Sequence, residues 1–121
     1  MSDQKKIIFI TGSSSGIGFE LAKKFLELGF EIIINSNNLK HLKKASRLLN
    51  NCKYFFGDLT NVRSLQIIFN QIKKKYKKID FLVCNYGNSN FKKNHLDIDH
   101  AFKANFFTTV NSIHFATPIL K

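Results

Sequence analysis

The sequence predicts an α/β fold, a doubly wound parallel sheet with helices on both faces, and three observations predict it. Strand-like and helix-like segments alternate along the 121 residues with little left over. The strand-like segments are continuous apolar runs, the pattern of strands covered on both sides. The first of them passes through a glycine-rich turn, "ITGSSSGIGFEL" from Ile10 to Leu21, straight into an amphipathic helix.

Each element follows from its own pattern. Lys6 to Thr11 reads as strand one. From Gly16 to Leu28 the apolar residues Ile17, Leu21, Phe25 and Leu28 recur at helical spacing, and Gly29 is placed to end the helix. Phe30 to Ile34 forms strand two, Leu39 to Leu49 helix two, and Lys53 to Gly57 strand three. Val62, Leu65, Phe69, Ile72 and Tyr76 make the apolar stripe of a third helix. Ile79 to Cys84 is strand four, and a last helix with Phe102, Phe106, Val110 and Ile113 on one face runs to about Pro118. Right-handed crossovers then give four strands in the order 3-2-1-4. The chain reverses direction between strands one and four, and such sheets bind ligands at the reversal, beyond the carboxyl ends of the strands.

Length and composition bound the function. A chain of 121 residues with 44% hydrophobic residues, 13 Phe and one Pro supports one globular domain without linkers or repeats. "IIFIT" after the amino terminus is too short for a signal-peptide core or a membrane span, so a cytoplasmic protein is expected. Cys52 and Cys84 lie far apart beside strand-like runs and read as buried reduced thiols, with no metal site. The net charge of +11 raises nucleic-acid binding as an alternative. The densest basic run, "KKKYKK" from Lys73 to Lys78, falls at the end of a helix, where the dipole favours cations and long side chains stay solvated. That favours a hydrated helix end over a nucleic-acid patch.

The turn after strand one has its own chemistry. Gly12, Gly16 and Gly18 lack side chains, and Thr11 and Ser13 to Ser15 carry only small hydroxyls, so backbone N–H groups can approach a phosphate at the start of helix one. "TGSSSGIG" has the spacing Gly-x-x-x-Gly-x-Gly and resembles the cofactor signature of the short-chain dehydrogenase/reductase family. Three further stretches resemble that family in order: "GDLT" at Gly57 to Thr60, "LVCNYG" at Leu82 to Gly87, and "FKANFF" at Phe102 to Phe107. The resemblance implies a Rossmann-like domain that binds NAD or NADP and transfers hydride between a carbonyl and an alcohol. It implies cofactor contacts from Gly12, Ser14, Ser15, Gly16, Ile17 and Gly18, and from Ser36 and Asn37 after strand two. Further contacts are implied from Asp58, at the adenine ring, and from Leu59, Asn85 and Gly87. It places on Asn105 the first member of the family's Asn-Ser-Tyr-Lys catalytic tetrad. Each residue also has a plainer reading, with Asp58 and Asn85 as turn formers and Asn105 as a helix-bending polar residue.

Departures from the family pattern are specific. Cys84 replaces an Asn and Tyr86 a small residue, so the Tyr86 ring either crowds the site near the cofactor ribose or stacks on part of the ligand. After strand two an acid would select NAD and an Arg NADP. Neutral Ser36 and Asn37 stand there, and the missing acid tips the choice towards NADP. Neither the family's fifth strand with its Ser nor its Tyr-x-x-x-Lys helix is found: Tyr54, Tyr76 and Tyr86 are followed at that spacing by Asp58, Asp80 and Asn90. The expectation is an incomplete domain over residues 1–121, from a fragment or an interrupted gene. It should be inactive alone, marginally folded, and prone to dimerise or aggregate through the bare edge of strand four. A non-catalytic nucleotide-binding remnant with a regulatory or scaffolding role is the alternative reading, with a basic RNA-binding protein behind it. No substrate is named. Only "GNSNFKKNHLD" from Gly87 to Asp97 would contribute to a substrate pocket from this stretch.

Overall fold

A computed structural model describes residues 4–87 and 97–121. A four-stranded sheet has the order β3-β2-β1-β4, built from β1 (Ile7–Ile10), β2 (Glu31–Ser36), β3 (Lys53–Phe56) and β4 (Phe81–Val83). All pairings are parallel, with Ile8 opposite Ile32 and Phe81, and Ile34 opposite Tyr54. Between the strands run α1 (Gly16–Glu27), α2 (Leu39–Leu48) and α3 (Val62–Tyr76). Most of "GNSNFKKNHLD" lies outside the described residues.

The pleat divides the apolar runs between two cores, because successive side chains of a strand point to opposite faces. Ile8, Ile10, Ile32 and Ile34 meet Ala22 of α1 and Leu42, Ala45 and Leu49 of the α2 region. Phe9, Ile33 and Phe55 meet Leu65, Ile68, Phe69 and Ile72 of α3 on the other face. Two helices start with side-chain caps, where Asn38 accepts from the His41 amide and Asn61 from the Ser64 amide.

Several sequence expectations are corrected. Ile17 and Leu28 are exposed, and α1 seats itself through Gly18 and Ala22 instead. The stripe is rotated because a glycine and an alanine let the helix lie close on the sheet. Strand two continues through Asn35 and Ser36, both buried.

The last helix departs most. It consists of α4 (Asp97–Phe102), a π-helical turn (Lys103–Phe107) and α5 (Thr108–Ala116), closed by a 3-10 turn over Thr117–Ile119. Its buried side is Ala104, Thr108, Ser112 and Ala116, a row of small residues. Phe102, Phe106, Val110 and Ile113, with Phe107, are about half exposed and turned outward. Small side chains permit close contact with α3 that a phenylalanine stripe would forbid.

The edge of strand four is not wholly bare. The Ile79 amide donates to the Ile119 carbonyl and the Lys121 amide to the Ile79 carbonyl, a parallel rung between Ile79 and Leu120. Asp80 holds this corner, accepting the Ile7 amide at 2.7 Å and lying 3.4 Å from the Lys121 ammonium. No helix among the described residues is long and apolar enough to cross a membrane. Burial pushes the Cys52 thiol up to about 11 and raises that of Cys84 as well, so both stay protonated near neutrality.

Candidate functional site

β1 is flanked by β2 on one side and β4 on the other, so crossovers leave its carboxyl end in opposite directions and open a crevice there. The turn that leaves β1 forms the floor of that crevice. Gly12 adopts φ +59°, and the Tyr86 backbone comes so close that a Cβ on Gly12 would stand 3.0 Å from the Tyr86 Cα. Gly18 is required sterically, because a Cβ there would collide with the Gly12 carbonyl oxygen and reach 2.5 Å from the Asn85 amide nitrogen.

Buried polar side chains fix this floor. The Asn35 side chain accepts the Gly12 amide at 3.2 Å and donates to the carbonyls of Phe55 and Gly57. The Ser13 hydroxyl donates to the Ile10 carbonyl at 2.7 Å and accepts the Asn35 amide at 3.0 Å. The Thr11 hydroxyl accepts the amides of Asn85 and Tyr86, each at 3.0 Å. Asn85 returns a bond from its side chain to the Gly12 carbonyl at 2.9 Å. The sequence points to Thr11 and Ser13 only as small hydroxyls in the turn, and Asn35 is not among its site candidates. The signal of Asn35 is a polar residue ending an apolar run, which reads equally well as a turn former.

A cavity of about 350 Å³ opens above the floor, lined by Gly12, Ser14, Ser15, Ile17, Ser36, Asn37, Asn85, Tyr86 and Gly87. Ser15 makes no side-chain cap to α1, and the amides of Gly16, Ile17 and Gly18 find no partner among the described residues. These are the orphan N–H groups of a helix start, where the dipole also favours negative charge. The Ser14 hydroxyl donates to that of Ser36 at 3.0 Å, and the Asn38 amide donates to the same Ser36 oxygen. A second cavity, of about 300 Å³, adjoins through Ser14 and Ser15 and carries His41 and Lys44 of α2.

The remaining candidates stand around this cleft. Asp58 is exposed, and one of its oxygens accepts both the amide and the hydroxyl of Thr60, a turn in its own right. Leu59 does not line the cavity, because its side chain is buried among Phe55, Leu65 and Ile68. Asn105 sits in the π-helical turn and donates to the Ala101 carbonyl at 2.9 Å. Its side-chain oxygen approaches Gly87 so closely that a Cβ there would stand 2.5 Å away. Asn105 is therefore brought to the end of β4. The Tyr86 ring packs beside Gly12 and against the α3-side core, with its phenol raised first by burial and then by the Asp58 carboxylate.

The family model described as short chain dehydrogenase matches residues 6–121. The chain belongs to that family. A dehydrogenase/reductase SDR family protein 7-like from Dictyostelium discoideum is 32% identical over 93% of this chain and 40% of its own length. A benzil reductase ((S)-benzoin forming) from Saccharomyces cerevisiae is 28% identical over 96% of this chain and 49% of its own. Among solved structures, ElxO with NADP bound superposes with a TM-score of 0.84 at 27% identity, over 93% of this chain and 49% of that one. The chain thus spans less than half the length of these relatives.

Proposed function

We propose that residues 1–121 form a single domain, the nucleotide-binding half of an NAD(P)-dependent oxidoreductase acting on a carbonyl or an alcohol. The observation that carries this reading is the row of amides at Gly16, Ile17 and Gly18, unpartnered among the described residues, at the start of α1, where Ile17 lines the cavity between the ends of β1 and β4 and Gly16 and Gly18 stand beside it. A nicotinamide dinucleotide fits that chemistry: its pyrophosphate needs N–H donors and no side chain in the way. When bound it would supply the hydride donor or acceptor.

The chain's own residues divide the remaining work. Ser14, Ser15, Ser36 and Asn37 would hold the adenosine ribose side, Asn85 and Gly87 the far wall, and Asp58 the adenine. Asn105 would support the end of β4 beside the reacting centre. NADP is favoured over NAD because, among the described residues, no carboxylate lines either cavity, while His41 and Lys44 line the one sharing Ser14 and Ser15. Proton transfer needs a group poised near the working pH. Burial raises the phenols of Tyr76 and Tyr86 instead, and no tyrosine has a lysine four residues on, so the proton donor would lie outside these residues. A second reading keeps the same cleft as a nucleotide-binding module without catalysis.

The test is calorimetric titration of the wild-type chain and of Gly16→Leu with NADPH and NADH. Gly16 has φ +59° and nothing within 4 Å of its missing Cβ, so a leucine would cover the amides without striking the protein. Left-handed backbone costs a non-glycine residue about 1–2 kcal/mol, so the variant is checked by its melt. NADPH binding tighter than NADH, and lost in Gly16→Leu, is the expected result. Equal binding by both proteins, or no binding by wild type, overturns the proposal. Hydride transfer by a chain extended with the family's Ser and Tyr-x-x-x-Lys segments separates the catalytic reading from the second one.

A further inference from the structure

We propose that Tyr86 is an aromatic wall against which the adenine of the dinucleotide stacks, making this ring a specificity-determining residue for the cofactor's adenylate half. The proposal rests on the nucleotide-binding reading of the cleft. Among the described residues, Tyr86 is the only aromatic side chain lining the cavity. Its position is fixed from three sides: the backbone amide is bonded to the Thr11 hydroxyl, the ring lies beside the Gly12 Cα, and its back packs on the α3-side core.

The ring's electrostatic neighbour is the Asp58 carboxylate, at the end of β3. A flat apolar face in the cavity lining, with a carboxylate near it but outside that lining, suits a base that carries an exocyclic amine. The first offers stacking and the second accepts the amine. Burial and Asp58 both favour the protonated phenol, so the ring brings no charge towards the cofactor's phosphates. A small residue at this position would leave that face open to water, which the ring excludes.

The experiment uses the whole chain. It contains three tyrosines and no tryptophan, so its emission reports tyrosine alone, and Tyr54 and Tyr76 belong to other cavities. The probes are 5′-AMP, nicotinamide mononucleotide and NADPH, titrated by calorimetry and by tyrosine emission. Removing a stacked aromatic costs a base on the order of tenfold or more in affinity. Tyr86→Ala is therefore expected to weaken 5′-AMP and NADPH by about tenfold and to leave nicotinamide mononucleotide unchanged. Tyr86→Phe is expected to keep affinity within about twofold while losing the emission change, because phenylalanine stacks as well as tyrosine does. A cooperative melt establishes that each variant is folded. Tyr86→Ala binding 5′-AMP as tightly as wild type overturns the stacking role and leaves the cofactor reading standing. Tighter binding by that variant identifies the ring as an obstruction, which also overturns it. Failure of wild type to bind any of the three probes overturns the cofactor reading itself.

Discussion

Asn35 illustrates how a single amide can organise a site. It is 1% exposed, and its side chain satisfies the Gly12 amide together with the Phe55 and Gly57 carbonyls. Leucine has nearly the same shape and none of these bonds. Asn35→Leu should therefore lower the unfolding free energy by about 2–4 kcal/mol, since each buried group left unpaired costs about 1–3 kcal/mol. Urea denaturation checks this, and a loss below about 0.5 kcal/mol would show that the network is dispensable. In the sequence, "IIINS" gave no hint of the role, because asparagine after an apolar run is equally at home in a turn. The glycine turn was legible for the opposite reason: few backbone arrangements need three glycines at that spacing, and sterics at Gly12 and Gly18 explain two of them.

At the level of elements, strand identity and order were readable from the apolar runs, whereas helix orientation was not. Periodicity finds a helix with two distinguishable faces, but the face with the larger side chains is not always the one that packs. Across the π-helical turn and α5 the row Ala104, Thr108, Ser112 and Ala116 won because close approach to α3 rewards small residues. The Thr108 hydroxyl bonds the Lys103 carbonyl across the π-helical turn. Asp80 carries a pH prediction at the junction of β1, β4 and the 3-10 turn. Its carboxylate is held below its ordinary value of 3.8, first by the Ile7 amide and further by Lys121 and Lys6. A lowered folded-state value means stability that is present above the ordinary value and lost as pH falls through it and beyond. Asp80→Asn should thus lower the melting temperature at pH 7, and the gap to wild type should close as the pH drops below about 4. A gap of constant size from pH 7 to pH 3 would show that the charge on Asp80 is immaterial.

For the whole molecule, the exposed aromatic surface outweighs the sheet edge. Phe102, Phe106 and Phe107 meet one another in tilted and edge-to-face contacts with centroids 5.1–5.5 Å apart and remain about half exposed, beside Val110 and Ile113. A contiguous apolar patch of this kind marks a surface that associates. Sedimentation of the chain should show concentration-dependent self-association, and the double variant Phe106→Ser, Phe107→Ser should shift it towards monomer. Association unchanged by these substitutions would return attention to β4. The floor of the cleft has a different consequence. Because Asn35 and Thr11 tie it to β3 and β4, it cannot open while the sheet is intact. Protons on the Gly12, Asn85 and Tyr86 amides should then trade with deuterium only as rarely as the sheet itself comes apart. A ligand's residence time would be governed by the serine-bearing rim above, never by breathing of the ground beneath it.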